Sequence, residues 1–427
     1  MSDPLRQPRG LFNLFDDCWI LDGARTPMVD YCGAFGSLSP TDLGIHAARA
    51  ALQRAAVAPE AVGAVLAGNM APGDSFQYML PRHIGLYAGV PIDVPALMVQ
   101  RICGTGFELF RQAGLHLRDG VDVALLAGTE SMTRNPIAAF EHRTGFKLGA
   151  PVKFEDFMWE ALKDPAAGVD MIGTAENLAR RYGITRAEVD AYAARSFERA
   201  LAAQASGFLA GEIEPVTPTT FEREGYAPRA LRLPPKVERV DTDTHPRPSP
   251  LEALARLRPV HPGGVQTAGN SSALVDAAAA AVVAGGAFTR DWQTRTGRAP
   301  LARVAAAAVV GVPPEIMGIG PAPAIRLLLQ RAGLTLDAID RFEINEAQGA
   351  QVLAVARELG LDEAHLNVHG GAIALGHPLA ATGVRLTLTC ARALRACGGR
   401  YGVASACIGG GQGIALLLEN PDAPTAA

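Results

Sequence analysis

Leu52-Gln53-Arg54-Ala55, whose continuation Val-Ala-Pro-Glu-Ala-Val ends at Val62, returns late in the chain as Leu329-Gln330-Arg331-Ala332, whose continuation Leu-Thr-Leu-Asp-Ala-Ile ends at Ile339. The offset from Arg54 to Arg331 is 277 residues, far longer than a solenoid period, so it marks a duplication at domain scale. Ahead of the first copy, Asp42 to Ala55 carries apolar residues at helical spacing behind a Ser-Pro-Thr-Asp start, and Val62 to Gly68 beyond it is strand-like. Alternating strands and helices in both copies argue for two layered α/β halves. Carried forward, the offset sets Cys103 opposite position 380 and the end of the strand-like Val121 to Gly128 opposite position 405, beside Cys407. Cys103, His377 and Cys407 are therefore expected to converge, although they are spread over about 300 residues of chain.

The fold is expected to start at Cys18 to Asp22, a buried-strand pattern stopped by Gly23, with residues 1–17 as a short arm. From about Phe140 to Pro259 the composition changes. Helical patterns over Thr174 to Tyr182 and Thr185 to Gly207, the second opening on a Thr-Arg-Ala-Glu capping box, give way to a stretch with prolines at 215, 218, 228, 234, 235, 246, 248 and 250. This reads as a covering insertion. Its Arg223, Arg229, Arg232, Lys236, Arg239 and Arg247 make either an ordinary solvated face or a surface for a substrate bearing several phosphates.

With 48% hydrophobic and 19% charged residues over 427 positions, the chain has a globular composition with a large core, and its net charge of −4 provides no basic field for nucleic acid. Six cysteines this far apart make no disulfide framework, none stands at Cys-x-x-Cys metal spacing, and no metal site is expected. No window of about 18 uninterrupted apolar residues predicts a membrane span. The N-terminus mixes Asp3, Asp16 and Asp17 with Arg6 and Arg9 and has the pattern of neither a secretory signal nor a presequence, and the C-terminal Pro-Thr-Ala-Ala matches no targeting tripeptide, so a cytoplasmic location is expected.

Four segments carry chemistry. In Asn367 to Gly383 (Asn-Val-His-Gly-Gly-Ala-Ile-Ala-Leu-Gly-His-Pro-Leu-Ala-Ala-Thr-Gly), small residues pack around His377, and the following proline suits a helix start, where developing negative charge is favoured. Cys103, in Gln100-Arg-Ile-Cys-Gly-Thr-Gly-Phe, sits between an apolar strand and a predicted helix, a position that favours a thiolate. Cys407 is followed by Gly409-Gly410-Gly411, whose bare N–H groups suit an oxyanion. Asn345 and Glu346 follow the strand Ile339 to Ile344, at the carboxyl end where α/β folds hold their sites. Any one of these cysteines alone reads as a small buried hydrophobe; together with His377 they point to cysteine-based acyl transfer.

In these motifs the chain resembles the thiolases, acyl-CoA:acetyl-CoA C-acyltransferases, from about Ile20 to Glu419. Cys-Gly-Thr-Gly, Ala-Gly-Thr-Glu-Ser-Met (127–132), Thr-Ala-Glu-Asn-Leu-Ala (174–179), Thr-Ala-Gly-Asn-Ser-Ser (267–272), Met-Gly-Ile-Gly-Pro (317–321), Asn-Glu-Ala, Gly-Gly-Ala-Ile-Ala-Leu-Gly-His-Pro and Cys-Ile-Gly-Gly-Gly occur in that order. The resemblance implies a duplicated five-layer αβαβα fold of class α/β. Its N-terminal half would span 18–139 and 262–297, its inserted loop domain, covering coenzyme A, 140–261, and its C-terminal half 298–427. It implies thiolysis of 3-ketoacyl-CoA, or Claisen condensation of acyl-CoA with acetyl-CoA, through an acyl-cysteine, with free CoA as a substrate and no cofactor. Homodimers or homotetramers are implied, and a partner in a fatty-acid oxidation complex is admitted.

Residue by residue, the resemblance makes Cys103 the acylated nucleophile, His377 its activator and Cys407 the α-proton base. Asn345 would hold a water that completes one oxyanion site, while the N–H groups of Cys103 and Gly409 form the other. Met171 would line the pocket, and Arg247 and Ser272 would contact coenzyme A. Glu346 reads as a buried anchor. The chain departs from the family at Gln348-Gly349, where Phe-Ala is common, at Gln412 for Met, and at Ala380 and Thr382 for Gly and Ser. Gln348-Gly349 is expected either to widen the acyl pocket and make it more polar, or to repack away from it. Two rivals differ in kind. A ketoacyl-synthase-type condensing enzyme needs two histidines where Cys407 and Asn345 stand, and a silent scaffold subunit should lack at least one of Cys103, Asn345, His377 and Cys407.

Overall fold

The computed structural model describes residues 9–140 and 142–423; the expected arm lies partly outside them, and the C-terminal Pro-Thr-Ala-Ala wholly outside. Elements used below are, in chain order, β1 (Gly10–Leu14), β2 (Trp19–Arg25), α1 (Pro40–Arg54), β3 (Ala64–Gly68), β4 (Ala96–Met98), α2 (Thr105–Arg118) and β5 (Val123–Ser131). There follow α3 (Met171–Tyr182), α4 (Arg186–Ala205), β6 (Val275–Ala284), β7 (Ala302–Gly311), α5 (Pro321–Ala332), β8 (Arg341–Ile344), α6 (Gly349–Leu359), α7 (Leu379–Cys397), β9 (Tyr401–Ile408) and β10 (Gln412–Glu419). The described part of the arm is not loose, since β1 pairs antiparallel with β7.

Local chemistry fixes the helix starts as read. Ser39 accepts from Thr41 N with Pro40 opening α1, and Thr185 and Glu188 form the reciprocal capping box of α4. Strands β3, β5 and β6 are buried along their whole length, the mark of strands covered on both faces, and this is why they lack polar alternation.

The strands run β8-β9-β10-β7-β2-β6-β5-β3-β4 in one mixed sheet. The β7–β2 seam, joined by only two residue pairs, divides it into the two halves. An apolar cluster holding Leu43 and Ala47 of α1 with Leu125 and Val282 fills one outer face. A second, with Phe107 and Phe110 of α2 and Val384 and Leu388 of α7, fills the space between the halves against Ala279, Val304 and Ala406. A third joins Ile325 and Leu328 of α5 and Val352 of α6 to Val310 and Leu417, and extends to Tyr192 and Phe197 of α4. Helix, sheet, helix pair, sheet and helix thus make five layers.

The 277-residue offset carries β5 onto β9, α2 onto α7 and β3 onto β8 to within three residues. The two central helices cross where Gly106 meets Gly383, themselves 277 apart. A Cβ at Gly106 would lie 2.5 Å from Val384 N, and one at Gly383 2.3 Å from Phe107 N, so only glycine fits on either side. This crossing brings the start of α2, with Cys103, beside the ends of β9 and α7's first turn. Among the described residues no helix is long and apolar enough to cross a membrane.

The six basic residues read as one surface are dispersed in their contacts. Arg229 pairs with Asp42 at 2.6 Å, Arg239 with Asp241 at 2.9 Å, and Arg223 donates to Val90 O at 3.3 Å.

Candidate active site

Cys103 occupies a single turn of tight helix, Ile102–Gly104, just ahead of α2. Ile102 has φ +47°, the left-handed region, which is an unfavourable conformation for a β-branched residue and persists only where its surroundings enforce it. Thr105 provides that enforcement: its Oγ1 accepts from Arg101 N at 2.8 Å and donates to Ile102 O at 2.7 Å. Arg101 then reaches across the molecule to Gln412 Oε1 at 2.9 Å and to Glu108 at 3.0 Å. The Cys103 turn of the first half is thereby clamped to the glycine loop of the second, where Gly410 and Gly411 have φ of +79° and +87°.

The N–H groups of Gly409 and of Cys103 itself are directed at the Cys103 sulfur. The sequence position suggested a stabilised thiolate. Burial instead pushes the thiol up to about 11, and these two N–H groups offset only part of that, with the Glu130 carboxylate adding to the rise. Cys407, fully buried near the end of β9, packs with Met317, Ala347 and Met171, and burial raises its thiol further still, Cys103 adding to the effect.

His377 precedes α7, and its backbone N–H donates to Ala273 O at 3.0 Å. Asn345 Nδ2 donates to Nε2 at 3.3 Å, which assigns the ring proton to Nδ1, shared with Thr382 Oγ1 at 2.7 Å. Thr382, noted in the sequence only as a replacement for serine, is the side chain that orients this ring. Burial, with the positive charge of Arg385 behind it, lowers His377 to about 3. Arg385 was also missed; it is buried on α7, 3.8 Å from Glu343, whose carboxyl burial raises to about 8. Asn345 follows β8 and is fully buried, with Oδ1 unpartnered among the described residues.

Glu346 is an anchor, as its position suggested. It accepts from Tyr192 Oη at 2.9 Å, Ser196 Oγ at 2.7 Å, Asn367 Nδ2 at 3.0 Å and Ile373 N at 3.1 Å, and so ties helix α4 to the His377 loop.

Of the remaining candidates, Met171 begins α3 with its sulfur 4.0 Å from where a Gly409 Cβ would stand. Ser272 N–H donates to Ala347 O at 3.1 Å, bracing the Asn-Glu-Ala turn. Arg247 is exposed, 5.3 Å over the Phe197 ring, and none of Cys103, Asn345, His377 and Cys407 is among its hydrogen-bond partners. The expected gap at Gly349 is corrected: a Cβ there would lie 2.7 Å from Val189 Cγ1 and 3.1 Å from Asn270 O, so the missing side chain is filled by protein and opens no substrate space. Gln348 is buried with Oε1 unpartnered among the described residues, which leaves its amide open to a polar contact.

The arrangement can do covalent acyl transfer. It combines a sulfur beside two N–H donors, a neutral imidazole held by threonine and asparagine, and a second thiol near enough to the first for its own pKa to be raised by it. Known proteins agree with that chemistry. The family described as "Thiolase, N-terminal domain" matches residues 18–286, and "Thiolase, C-terminal domain" matches 298–420. The chain is 41% identical over 406 residues to the mitochondrial 3-ketoacyl-CoA thiolase of Bos taurus, covering 94% of this chain and 98% of that protein. It is 40% identical over 413 residues to a beta-ketoadipyl-CoA thiolase of Acinetobacter baylyi, with the same coverage. The crystal structure of human mitochondrial 3-ketoacyl-CoA thiolase in complex with CoA superposes with a TM-score of 0.87 at 40% identity, covering 95% of this chain and 98% of that one. Its fold, its paired motifs and these likenesses along nearly its whole length establish that the chain belongs to the thiolase family.

Proposed function

We propose that the protein is an acyl-CoA:acetyl-CoA C-acyltransferase that cleaves 3-ketoacyl-CoA with free CoA, or runs the reverse Claisen condensation, with coenzyme A as substrate. In thiolysis the Cys103 sulfur attacks the C3 carbonyl and its proton passes to His377. The C2–C3 bond then breaks, its electron pair stays on C2 as the enolate of acetyl-CoA, and the Cys407 thiol protonates that carbon. A CoA thiol, deprotonated in turn, attacks the acyl-Cys103 thioester; acyl-CoA leaves and the sulfur is restored.

The observation that carries this reading is the meeting of Cys103 with the Gly409 N–H and with Cys407 across the two halves of the chain, with His377 just ahead of α7 held by Asn345 at 3.3 Å. With the thiol raised to about 11 and the imidazole lowered to about 3, the pair rests as neutral thiol and neutral base, so proton transfer accompanies C–S bond formation. The open Oδ1 of Asn345 and its contact with Nε2 support a water-holding role facing one thioester oxygen, and the N–H groups of Cys103 and Gly409 suit the other. The reading extends to a homodimer or homotetramer.

Following the loss of 3-ketoacyl-CoA absorbance with CoA over a series of chain lengths tests the reading; absence of CoA-dependent cleavage at every length would sink it. Cys407→Ala in the same assay is expected to lower condensation and α-proton exchange by on the order of 10²–10⁴ while leaving Cys103 open to acylation, because proton transfer to or from carbon is the step that residue serves. Wild-type condensation in that variant would remove Cys407 from the role.

A further inference from the structure

The duplication builds two junctions of one design. In the first, Cys407, one residue from the end of β9, faces Cys103 at the start of α2. Carried back across 277 residues, Cys407 corresponds to Glu130, one residue from the end of β5; carried forward, Cys103 corresponds to Ala380 in the first turn of α7. The structure joins these two as well, Ala380 N–H donating to Glu130 Oε2 at 3.2 Å. Thr105 and Thr382, the residues that fix Cys103's turn and His377's ring, are related by the same offset.

The second junction is closed where the first is reactive. Glu130 has no exposed surface. Besides Ala380 N, its carboxylate accepts from Asn69 Nδ2 at 2.9 Å, Ala71 N at 3.1 Å and Met70 N at 3.1 Å, all N–H groups of uncharged residues. Strand and helix start are in direct contact there, since a Cβ at Gly128 would lie 2.2 Å from Ala380 O. Ala380 stands three residues after His377 on the same turn of chain.

We propose that Glu130 is a positioning residue for the acyl transfer inferred above: it plugs the pseudo-symmetric junction, fixes the first turn of α7 and thereby His377 relative to Cys103, and supplies the carboxylate whose field reaches the nucleophile. Burial, with Asp276 of β6 adding to it, pushes Glu130 up to about 7 against the pull of its N–H donors, so its charge changes near neutrality. The groups whose charge bears on the two sulfurs are Glu130 upon Cys103 and Cys103 upon Cys407. An ionised Glu130 makes the Cys103 thiol harder to ionise, so the titration of Cys103 reports Glu130's charge while kcat at constant KM reports the placement it gives α7.

The inference rests on the acyltransferase reading, and the test separates the two. Glu130→Gln keeps the shape, removes the charge and turns one acceptor into a donor; Glu130→Asp keeps the charge and withdraws it from Ala380 by one methylene. Thiolysis kcat and KM for CoA are measured beside the pH dependence of Cys103 alkylation by iodoacetamide, which needs no thioester. Both variants are expected to lose kcat by roughly 10- to 100-fold with KM for CoA changed by less than about twofold, the effect of a misplaced catalytic group. Only Glu130→Gln should move the alkylation inflection to lower pH. Wild-type kcat in either variant, or an unmoved inflection in Glu130→Gln, overturns the proposal. If thermal melting shows that Glu130→Gln does not fold, Glu130→Asp decides alone: a kcat loss per folded molecule at constant KM supports it, and an unchanged kcat per folded molecule overturns it. A wild-type chain that cleaves no 3-ketoacyl-CoA while Glu130→Gln still shifts the inflection retires the acyltransferase reading and leaves the coupling of Glu130 to Cys103 in force.

Discussion

Cys103→Ser is expected to abolish acyl-enzyme formation and to lower turnover by about 10⁴-fold or more, the loss typical of removing a covalent nucleophile. The reason is in the pair's proton affinities. His377, lowered to about 3 by burial and Arg385, is a weak base, adequate for a thiol only as the sulfur bonds to carbon. A serine hydroxyl is a far poorer acid than a thiol, and the same imidazole cannot assist it. Cys103→Ser also leaves the Gly409 N–H directed at the side chain, so the variant should keep its affinity for CoA while losing chemistry. Mass spectrometry of peptides after incubation with acyl-CoA checks this directly: the wild type should carry the acyl group on Cys103 and the variant should carry none. An adduct on Cys407 with none on Cys103 would exchange the two roles.

Gly383→Ala is expected to cause a large loss of stability from a single methyl group. The added carbon would fall 2.3 Å from Phe107 N and 2.6 Å from Gly106 C, both main-chain atoms of α2, so neither neighbour can rotate away. Forced separation of α2 and α7 opens the central apolar layer, and overpacking of this kind costs about 3 kcal/mol at its upper range, which in a large domain lowers Tm by on the order of 5 °C or more. Because the crossing also sets the start of α2, which follows Cys103, against the first turns of α7, which follow His377, activity should fall more than the folded fraction does. Calorimetry and thiolysis on the same preparation test the pair of effects. An unchanged Tm would mean that the two helices do not meet at this point.

Much of this architecture was legible in the sequence because a duplication prints it twice. The offset read from Leu52-Gln53-Arg54-Ala55 and Leu329-Gln330-Arg331-Ala332 carries β5 onto β9 and α2 onto α7, and it predicted that cysteines about 300 residues apart would meet. Helix starts were legible for a local reason: the Ser39-Pro40 start and the Thr185–Glu188 box satisfy N–H groups within a few residues of themselves. Glu346 was readable as an anchor because a carboxylate after a buried strand needs donors, and it has four.

What the sequence could not determine depends on groups that meet only after folding. For Gln348-Gly349 the sequence left open a wider pocket or repacking away from it, and Val189, 160 positions earlier, turned out to fill the space at Gly349. Arg101 and Gln412 give no local sign of each other, yet they clamp the two halves of the site together. The sign of the Cys103 shift is the clearest case. Its position ahead of a helix favours a thiolate, and that much the sequence determined, since dipole and turn are local. Desolvation is set by everything the fold lays over the sulfur, and here it outweighs the local N–H groups, so only the tertiary structure decided that the Cys103 thiol and the His377 ring rest uncharged.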